Sequence, residues 1–176
     1  MVQHSRIEQT IISSLFFRED YTRKVLPFIK EEYFGNRVEQ LLYGEIFKFV
    51  EKYNNLPTKD AILIELNGRK DINEEELNHL KDYVNGIENT EADEQWLTET
   101  TEKFCKDRAV HNAVLSGIKI LDKKDTKRTP EAIPHILSEA LAVSFDKSVG
   151  HDYIEDADAR FKFYHTKEKR YQFDLD

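Results

Sequence analysis

The chain has 176 residues, of which 39% are hydrophobic and 34% charged, and its formal net charge is −8. These values are typical of one globular helical domain and exclude a disordered chain. The acidic balance argues against a protein whose whole surface binds phosphate, and the single Cys105 excludes an internal disulfide. No apolar run approaches the ~18 residues of a membrane span, and the N-terminus lacks a signal-peptide pattern, so we expect a cytoplasmic protein without a membrane partner.

The first half of the chain carries apolar residues at spacings of three and four, which predicts helices. Ser5 with Glu8 has the spacing of a capping box, and Thr58 and Asn73 are further candidate caps. These signals predict a globular helical head over residues 1–90. Its five predicted helices cover residues 5–17, 21–26, 38–53, 59–66 and 74–84.

A longer helical pattern follows between Glu91 and Lys124, where roughly thirty residues are predicted to be helical, or about 45 Å at 1.5 Å per residue. A polar turn follows, and Pro130 suits the first position of a returning helix that is predicted to end at Phe145, with Thr129 as its cap. Two such helices with a short connection predict an antiparallel helical hairpin over residues 91–146.

The predicted hairpin carries apolar residues on more than one stripe of its first helix. One stripe can face the returning helix, and a second stripe needs another surface. The head could cover it, or a second copy of the chain could, and we favour self-association. The residues predicted for the hairpin and oligomer interface are Val110, Val114, Ile118, Leu121, Ile133, Ile136, Leu137 and Leu141.

Residues 147–176 predict a linker and a docking helix that leads toward a further domain. The segment DKSVGHD is followed by YIEDADARFKFYHTKEKR, whose charges complement a helix dipole. The last six residues, YQFDLD, alternate as in an entering strand. A narrow apolar stripe after a flexible linker is suited to docking in a groove. It consists of Ile154, Ala157, Phe161 and Tyr164.

Motifs for catalysis are absent from the sequence. No GxxxxGK[ST] phosphate-binding loop occurs, the six histidines lack metal-ligand spacing, and no serine has the context of a nucleophile elbow. We therefore predict no catalytic, cofactor-binding or metal site, and we do not expect this chain to be an enzyme.

The stretch SFDKSVGHDYIEDADARFKFY resembles the junction between the N-terminal and ATPase domains of DnaB-type replicative helicases, closest to those of T-even-type phages. IEQTIISSLFFREDYTRKVLPFIKEEYF is similar to the opening helices of that family, and DEQWLTETTEKFCKDRAVHNA with AIPHILSEALAVSFD is similar to its hairpin. The resemblance covers nearly the whole chain. It implies an all-α fold: a small helical bundle, a long antiparallel hairpin and a C-terminal linker helix.

The resemblance implies a function in DNA replication in an infected bacterial host. In the family, hairpins pair into dimers, three dimers form a collar on a hexameric ring, and the linker helix packs on the ATPase domain of the neighbouring subunit. The collar also helps to receive the primase. ATP, magnesium and single-stranded DNA are bound by the motor ring, and the motor domain has no counterpart in this sequence, which looks cut short before it.

Two other interpretations remain open at the level of the sequence. The helicase-binding domain of a bacterial-type primase resembles the same head and hairpin. A free-standing phage adaptor could also copy the collar in order to inhibit or load a host helicase. The VGHD junction and the linker helix favour the helicase.

Overall fold

The computed structural model describes residues 2–89 and 91–145, which belong to one compact unit. No strand occurs within these ranges, so the prediction of an all-α fold is confirmed. Short 3-10 turns cover Leu26–Phe28, Glu31–Tyr33 and Pro130–Ala132. The α-helices are α1 (Val2–Phe17), α2 (Glu19–Val25), α3 (Arg37–Tyr53), α4 (Lys59–Asn67), α5 (Glu74–Gly86), α6 (Glu94–Leu121) and α7 (Ile133–Leu141).

Side-chain caps begin two of the head helices where the sequence predicts them. The Thr58 hydroxyl accepts a hydrogen bond from the backbone N–H of Ala61 at 3.1 Å, at the start of α4. Asn73 accepts one from Glu76 N–H at 2.8 Å, and the Glu76 carboxylate accepts from Asn73 N–H in return. Both caps satisfy backbone donors that the first turn of a helix leaves unpaired.

The predicted cap at Ser5 is wrong, because α1 begins at Val2 and Ser5 lies inside the helix. The carboxylate of Glu8, which the capping box would have used, instead accepts a hydrogen bond from the backbone N–H of Gly35 at 2.8 Å. Glu8 is 5% exposed. A long-range contact across the head has therefore replaced the predicted local one.

The returning helix is shorter than the sequence predicts. Pro134 has no N–H, so it cannot bond to the carbonyl four residues earlier, and the chain from Pro130 begins as a 3-10 turn instead. Thr129 makes no side-chain cap bond there. The helix ends at Leu141 rather than at Phe145, whose ring stacks on Phe28 of the head with centroids 4.6 Å apart.

The core of the head includes the first half of α6. Leu42 of α3 and Leu80 of α5 have no solvent exposure, and Leu97 of α6 is 1% exposed. The hydroxyls of Tyr21 and Thr101 are 2.7 Å apart, which joins α2 to α6. Burial of each large apolar side chain contributes about 1.5–3 kcal/mol, so this end of α6 is fixed on the head.

A carboxyl group without solvent exposure lies between α1, α3 and α5. The Oε1 atom of Glu39 accepts a hydrogen bond from the Tyr83 hydroxyl at 2.9 Å, and Oε2 has no hydrogen-bond partner within the described ranges. Burial raises the pKa of Glu39 to about 7; the bond from Tyr83 opposes this shift and the carboxylate of Glu8 adds to it. The head therefore favours the neutral form of Glu39 at pH values below about 7.

Replacing Glu39 with Gln is expected to raise the free energy of unfolding at pH 8 by about 1–3 kcal/mol. Glutamine keeps an acceptor for Tyr83 and removes the charge that burial disfavours. Because the folded-state pKa lies above the unfolded value, the wild-type carboxyl contributes its full stability below about pH 4.5 and loses it as the pH rises through 7. The gain of the variant over the wild type, measured by urea unfolding, should therefore grow between pH 5 and pH 8.

The matched control for this experiment is Glu65→Gln, because Glu65 is an exposed carboxylate on α4. The free energy of unfolding of this variant should stay within about 0.5 kcal/mol of the wild type, as is usual for a substitution at an exposed surface position. A pH-independent difference for Glu39→Gln would contradict the assignment of a neutral buried carboxyl.

Candidate functional site

Small residues allow α6 and α7 to pack closely. Ala113 and Gly117 of α6 are buried, as is Ala140 of α7. A Cβ atom at Gly117 would lie 3.5 Å from Cγ2 of Ile133, so the start of α7 lies against the end of α6. After α7, the Ser144 hydroxyl donates to the Glu102 carboxylate at 3.3 Å. The two helices therefore run in opposite directions.

One side of this helix pair borders a cleft against the head. Asn112 and Ser116 of α6 line the cleft together with Ile136 and Glu139 of α7. Across it lies the segment around the 3-10 turn Glu31–Tyr33, and the Asn112 side-chain amide donates to the backbone carbonyl of Glu32 at 2.9 Å. This contact identifies the side of the hairpin that faces the head.

The opposite side of the helix pair is apolar. On α6, positions spaced by three and four residues lie about half a turn away from Asn112 and Ser116. On α7, two leucines four residues apart lie away from Glu139 in the same way. We call this side the outer face. It consists of Val110, Val114, Ile118, Leu121, Leu137 and Leu141.

Much of the outer face is in contact with solvent. The exposed fractions are 47% for Val114, 48% for Ile118, 63% for Leu121 and 72% for Leu141, whereas Leu137 packs partly against the core. Single exposed apolar residues are ordinary, but a contiguous group on two adjacent helices is typical of an interaction surface. The outer face is therefore the strongest candidate site in the described part of the chain.

The eight residues predicted for the hairpin and oligomer interface do not share one environment. Six of them form the outer face. Ile133 packs against Gly117, and Ile136 lines the cleft. Leu115 was not among the predicted residues, although it is 43% exposed near the end of α6. Its position beside Val114 on a helix with two apolar stripes is the signal that could have identified it.

The exposed Trp96 belongs to a separate patch. It is 53% exposed and borders a small groove with Ile7 and Ile11 of α1. Along α6 it is roughly 27 Å from Val114, at 1.5 Å per residue. The predicted docking residues Ile154, Ala157, Phe161 and Tyr164 lie outside the described residues.

The cleft beside the head has a volume of about 780 Å³ in its larger part and carries mixed charge. Lys30, Lys119 and Arg128 line it, but so do Glu31 and Glu32. Arg128 also forms an ion pair of 2.7 Å with Asp125 on the adjoining turn. This balance of charges does not define one class of ligand.

Two further features are absent from the described residues. No group of three or more His, Cys, Asp or Glu side chains is arranged to hold a metal ion in residues 2–89 and 91–145. Within the same ranges, no helix combines the length and the apolar character needed to cross a membrane.

The fold and the outer face define an all-α module with an exposed apolar surface on a pair of long and short antiparallel helices. The chain matches no family model. It is 31% identical, over 175 residues and 95% of its own length, to a DnaB-like replicative helicase of Enterobacteria phage T4. The chain spans 37% of the length of that protein. The resemblance to a DnaB-type replicative helicase is thus confirmed. A match to 37% of the length of that protein is consistent with an N-terminal domain.

Negative charges at two positions of the hairpin are expected to differ in their effect on stability. Ile118→Asp should lower the free energy of unfolding by less than about 1 kcal/mol, because a half-exposed side chain keeps its new charge in water. Leu137→Asp should cost about 2 kcal/mol or more, because Leu137 packs against the core. Thermal and urea unfolding at a concentration below any self-association would measure both, and equal losses would contradict this division.

Proposed function

We propose that the chain is the N-terminal oligomerisation and partner-binding domain of a hexameric replicative DNA helicase. Six such domains would form a collar above the motor ring. The observation that carries this proposal is the outer face, an exposed apolar surface on a hairpin whose other side is already used by the head. The similarity to a phage replicative helicase supports the same assignment and favours it over a primase module or a free-standing adaptor.

The size of the outer face supports a contact between copies of the chain. Its aliphatic side chains offer on the order of 500 Å² of apolar surface per chain, so a symmetric pair would bury roughly 1,000 Å². This value is near the lower limit for a specific interface. Pairing of isolated chains should therefore be weak, and a ring that holds six copies together would strengthen it through effective concentration.

The activity of the whole protein is part of the proposal. A motor domain would bind ATP and magnesium, move on single-stranded DNA and unwind the duplex, and this sequence carries no phosphate-binding loop for that purpose. The segment with Ile154, Ala157, Phe161 and Tyr164 would dock on the ATPase domain of the neighbouring subunit, and the collar would receive the primase. The place of action would be the cytoplasm of an infected bacterium.

Light scattering after size exclusion tests the proposal. The average mass of the wild-type chain should rise with concentration from 20.8 kDa toward twice that value or higher multiples of it. Ile118→Asp should remain at the monomer mass, because association would bury its charge, while its circular dichroism spectrum stays that of the wild type.

Lys24→Glu provides a control, since Lys24 is an exposed residue on α2 away from the hairpin. It should associate as the wild type does. A wild-type chain that stays monomeric at millimolar concentration, or an Ile118→Asp variant that associates normally, would count against the collar.

A further inference from the structure

We propose that a second surface, formed by two grooves on either side of α1, binds a basic amphipathic helix of another protein. The inference does not rest on the proposed self-association, because this surface lies on the head. Its Trp96 is roughly 27 Å along α6 from Val114 of the outer face. The shape, the apolar residues and the charges of the two grooves carry the inference.

The two grooves lie along the exposed side of α1. One lies between α1 and the start of α6, has a volume of about 180 Å³ and is lined on α6 by Trp96. The other lies between α1 and the end of α5, has a volume of about 460 Å³ and is lined by Tyr83 and Gly86. Arg6 and Thr10 line both grooves, so they form a ridge between them. We call the two grooves and this ridge the α1 surface.

Both grooves can accept apolar side chains of a partner. Trp96 is 53% exposed at the edge of the smaller groove, with Ile7 and Ile11 beside it, and Ile87 lines the larger groove. Apolar pockets next to an exposed aromatic ring are where interface anchor residues commonly bind. The smaller groove is below the size of a typical small-molecule site and suits one large side chain. This shape favours a helix that lies across α1 and places an apolar anchor in each groove.

Acidic side chains surround the two grooves. Asp82 and Glu88 line the larger groove, and Glu99 lies one helical turn from Trp96. All three carboxylates are exposed, and none of them forms an ion pair within residues 2–89 and 91–145. Arg6 is the single cation among the residues that line the grooves in this part of the chain. Lysine or arginine beside the apolar anchors of the partner would therefore complement the α1 surface.

The same charges argue against two other occupants. Bases of a nucleic acid could stack on Trp96, but the carboxylates around the grooves would repel its phosphates. A second copy of this chain carries a net charge of −8 and would be repelled as well. A basic helix is attracted by the same carboxylates, which favours it over both.

Trp96 reports directly on the α1 surface, because it is the only tryptophan of the chain. The probe is a helical peptide of about 14 residues with leucine along one side, lysine elsewhere and no aromatic residue. At about 0.15 M salt it should shift the fluorescence of Trp96 to shorter wavelength in a saturable manner, since binding removes the indole from water. Peptides with glutamate in place of lysine, or alanine in place of leucine, should bind at least about tenfold more weakly.

Neutral substitutions test the contribution of the carboxylates. Asp82→Asn, Glu88→Gln and Glu99→Gln together should weaken binding of the lysine peptide about tenfold, because they remove the charges that attract it. The matched control neutralises three exposed carboxylates of α3 and α4, so it changes the net charge equally and should keep the affinity within about twofold. Its substitutions are Glu51→Gln, Asp60→Asn and Glu65→Gln.

A substitution at Gly86 tests the larger groove. A Cβ atom there would meet nothing within 4 Å, so a side chain can extend from this position while the fold is kept. Gly86→Lys should weaken binding of the lysine peptide at least about tenfold, because its side chain occupies the groove and repels the peptide. Gly86→Ala should keep the affinity within about twofold. Both variants should retain the circular dichroism spectrum of the wild type.

A saturable shift with this pattern of losses supports the inference. It is overturned if the lysine peptide at millimolar concentration leaves the fluorescence unchanged, or if the control peptides bind equally well. It is also overturned if both triple variants lose affinity equally, since binding would then follow total charge, or if Gly86→Lys binds as Gly86→Ala does.

Two further outcomes would assign the α1 surface to another occupant. A shift of Trp96 fluorescence caused by oligothymidylate would identify a nucleic acid, and a shift caused by raising the concentration of the chain alone would identify a second copy. Either result overturns the basic helix. The mass measured by light scattering depends on the outer face instead, so failure here leaves the proposed collar unaffected.

Discussion

Close contact between small residues of α6 and the beginning of α7 determines the shape of the hairpin. Ala109, Ala113 and Gly117 follow one another at intervals of four on α6, so they form one line along the helix, and all three are buried. Ile133 packs on the last of them. A larger side chain at Gly117 would have to displace Ile133, because even a Cβ atom would already be in van der Waals contact with it. Since the small residues face α7, the larger residues beside them on α6 are turned toward solvent.

The two halves of α6 meet different environments. In the first half, Leu97, Thr101 and Phe104 are buried in the core of the head. In the second half one side of the helix still contacts the head, where the Asn112 amide donates to the carbonyl of Glu32, whereas the outer face is exposed to solvent. Because α6 is one continuous helix whose first half is fixed in the core of the head, the outer face on its second half is held on a rigid element. An interaction surface on such a rigid element costs little conformational entropy when a partner binds.

The energetic character of the outer face is consistent with a domain that works inside a larger assembly. A large apolar surface on an isolated chain would lead to uncontrolled aggregation, whereas a small apolar surface would give weak and reversible pairing. The chain has a net charge of −8, and the repulsion between copies opposes nonspecific contact. In the proposed ring of six subunits, linkage through the motor would raise the effective concentration of each outer face, and a modest contact would then be sufficient.

Local signals in the sequence determined most of the helical fold. The spacing of apolar residues, the caps Thr58 and Asn73 and the turn before Pro130 are short-range features, and their physical causes act within a few residues. The predicted cap at Ser5 was wrong because α1 begins earlier, at Val2, and Glu8 bonds instead to Gly35, which is distant in sequence. The predicted end of the last helix at Phe145 failed because its ring stacks on Phe28 of the head.

The sequence also predicted which residues belong to the candidate site, but it did not predict which of them are exposed and which are packed inside the molecule. Helical spacing identified the apolar residues of both hairpin helices, and it could not say which of them face α7, the head or solvent. Only the packed structure separated Ile133 and Ile136 from the exposed Ile118 and Leu141. The reason is physical: periodicity fixes the angle of a residue around its own helix, whereas exposure depends on which neighbouring elements approach that angle.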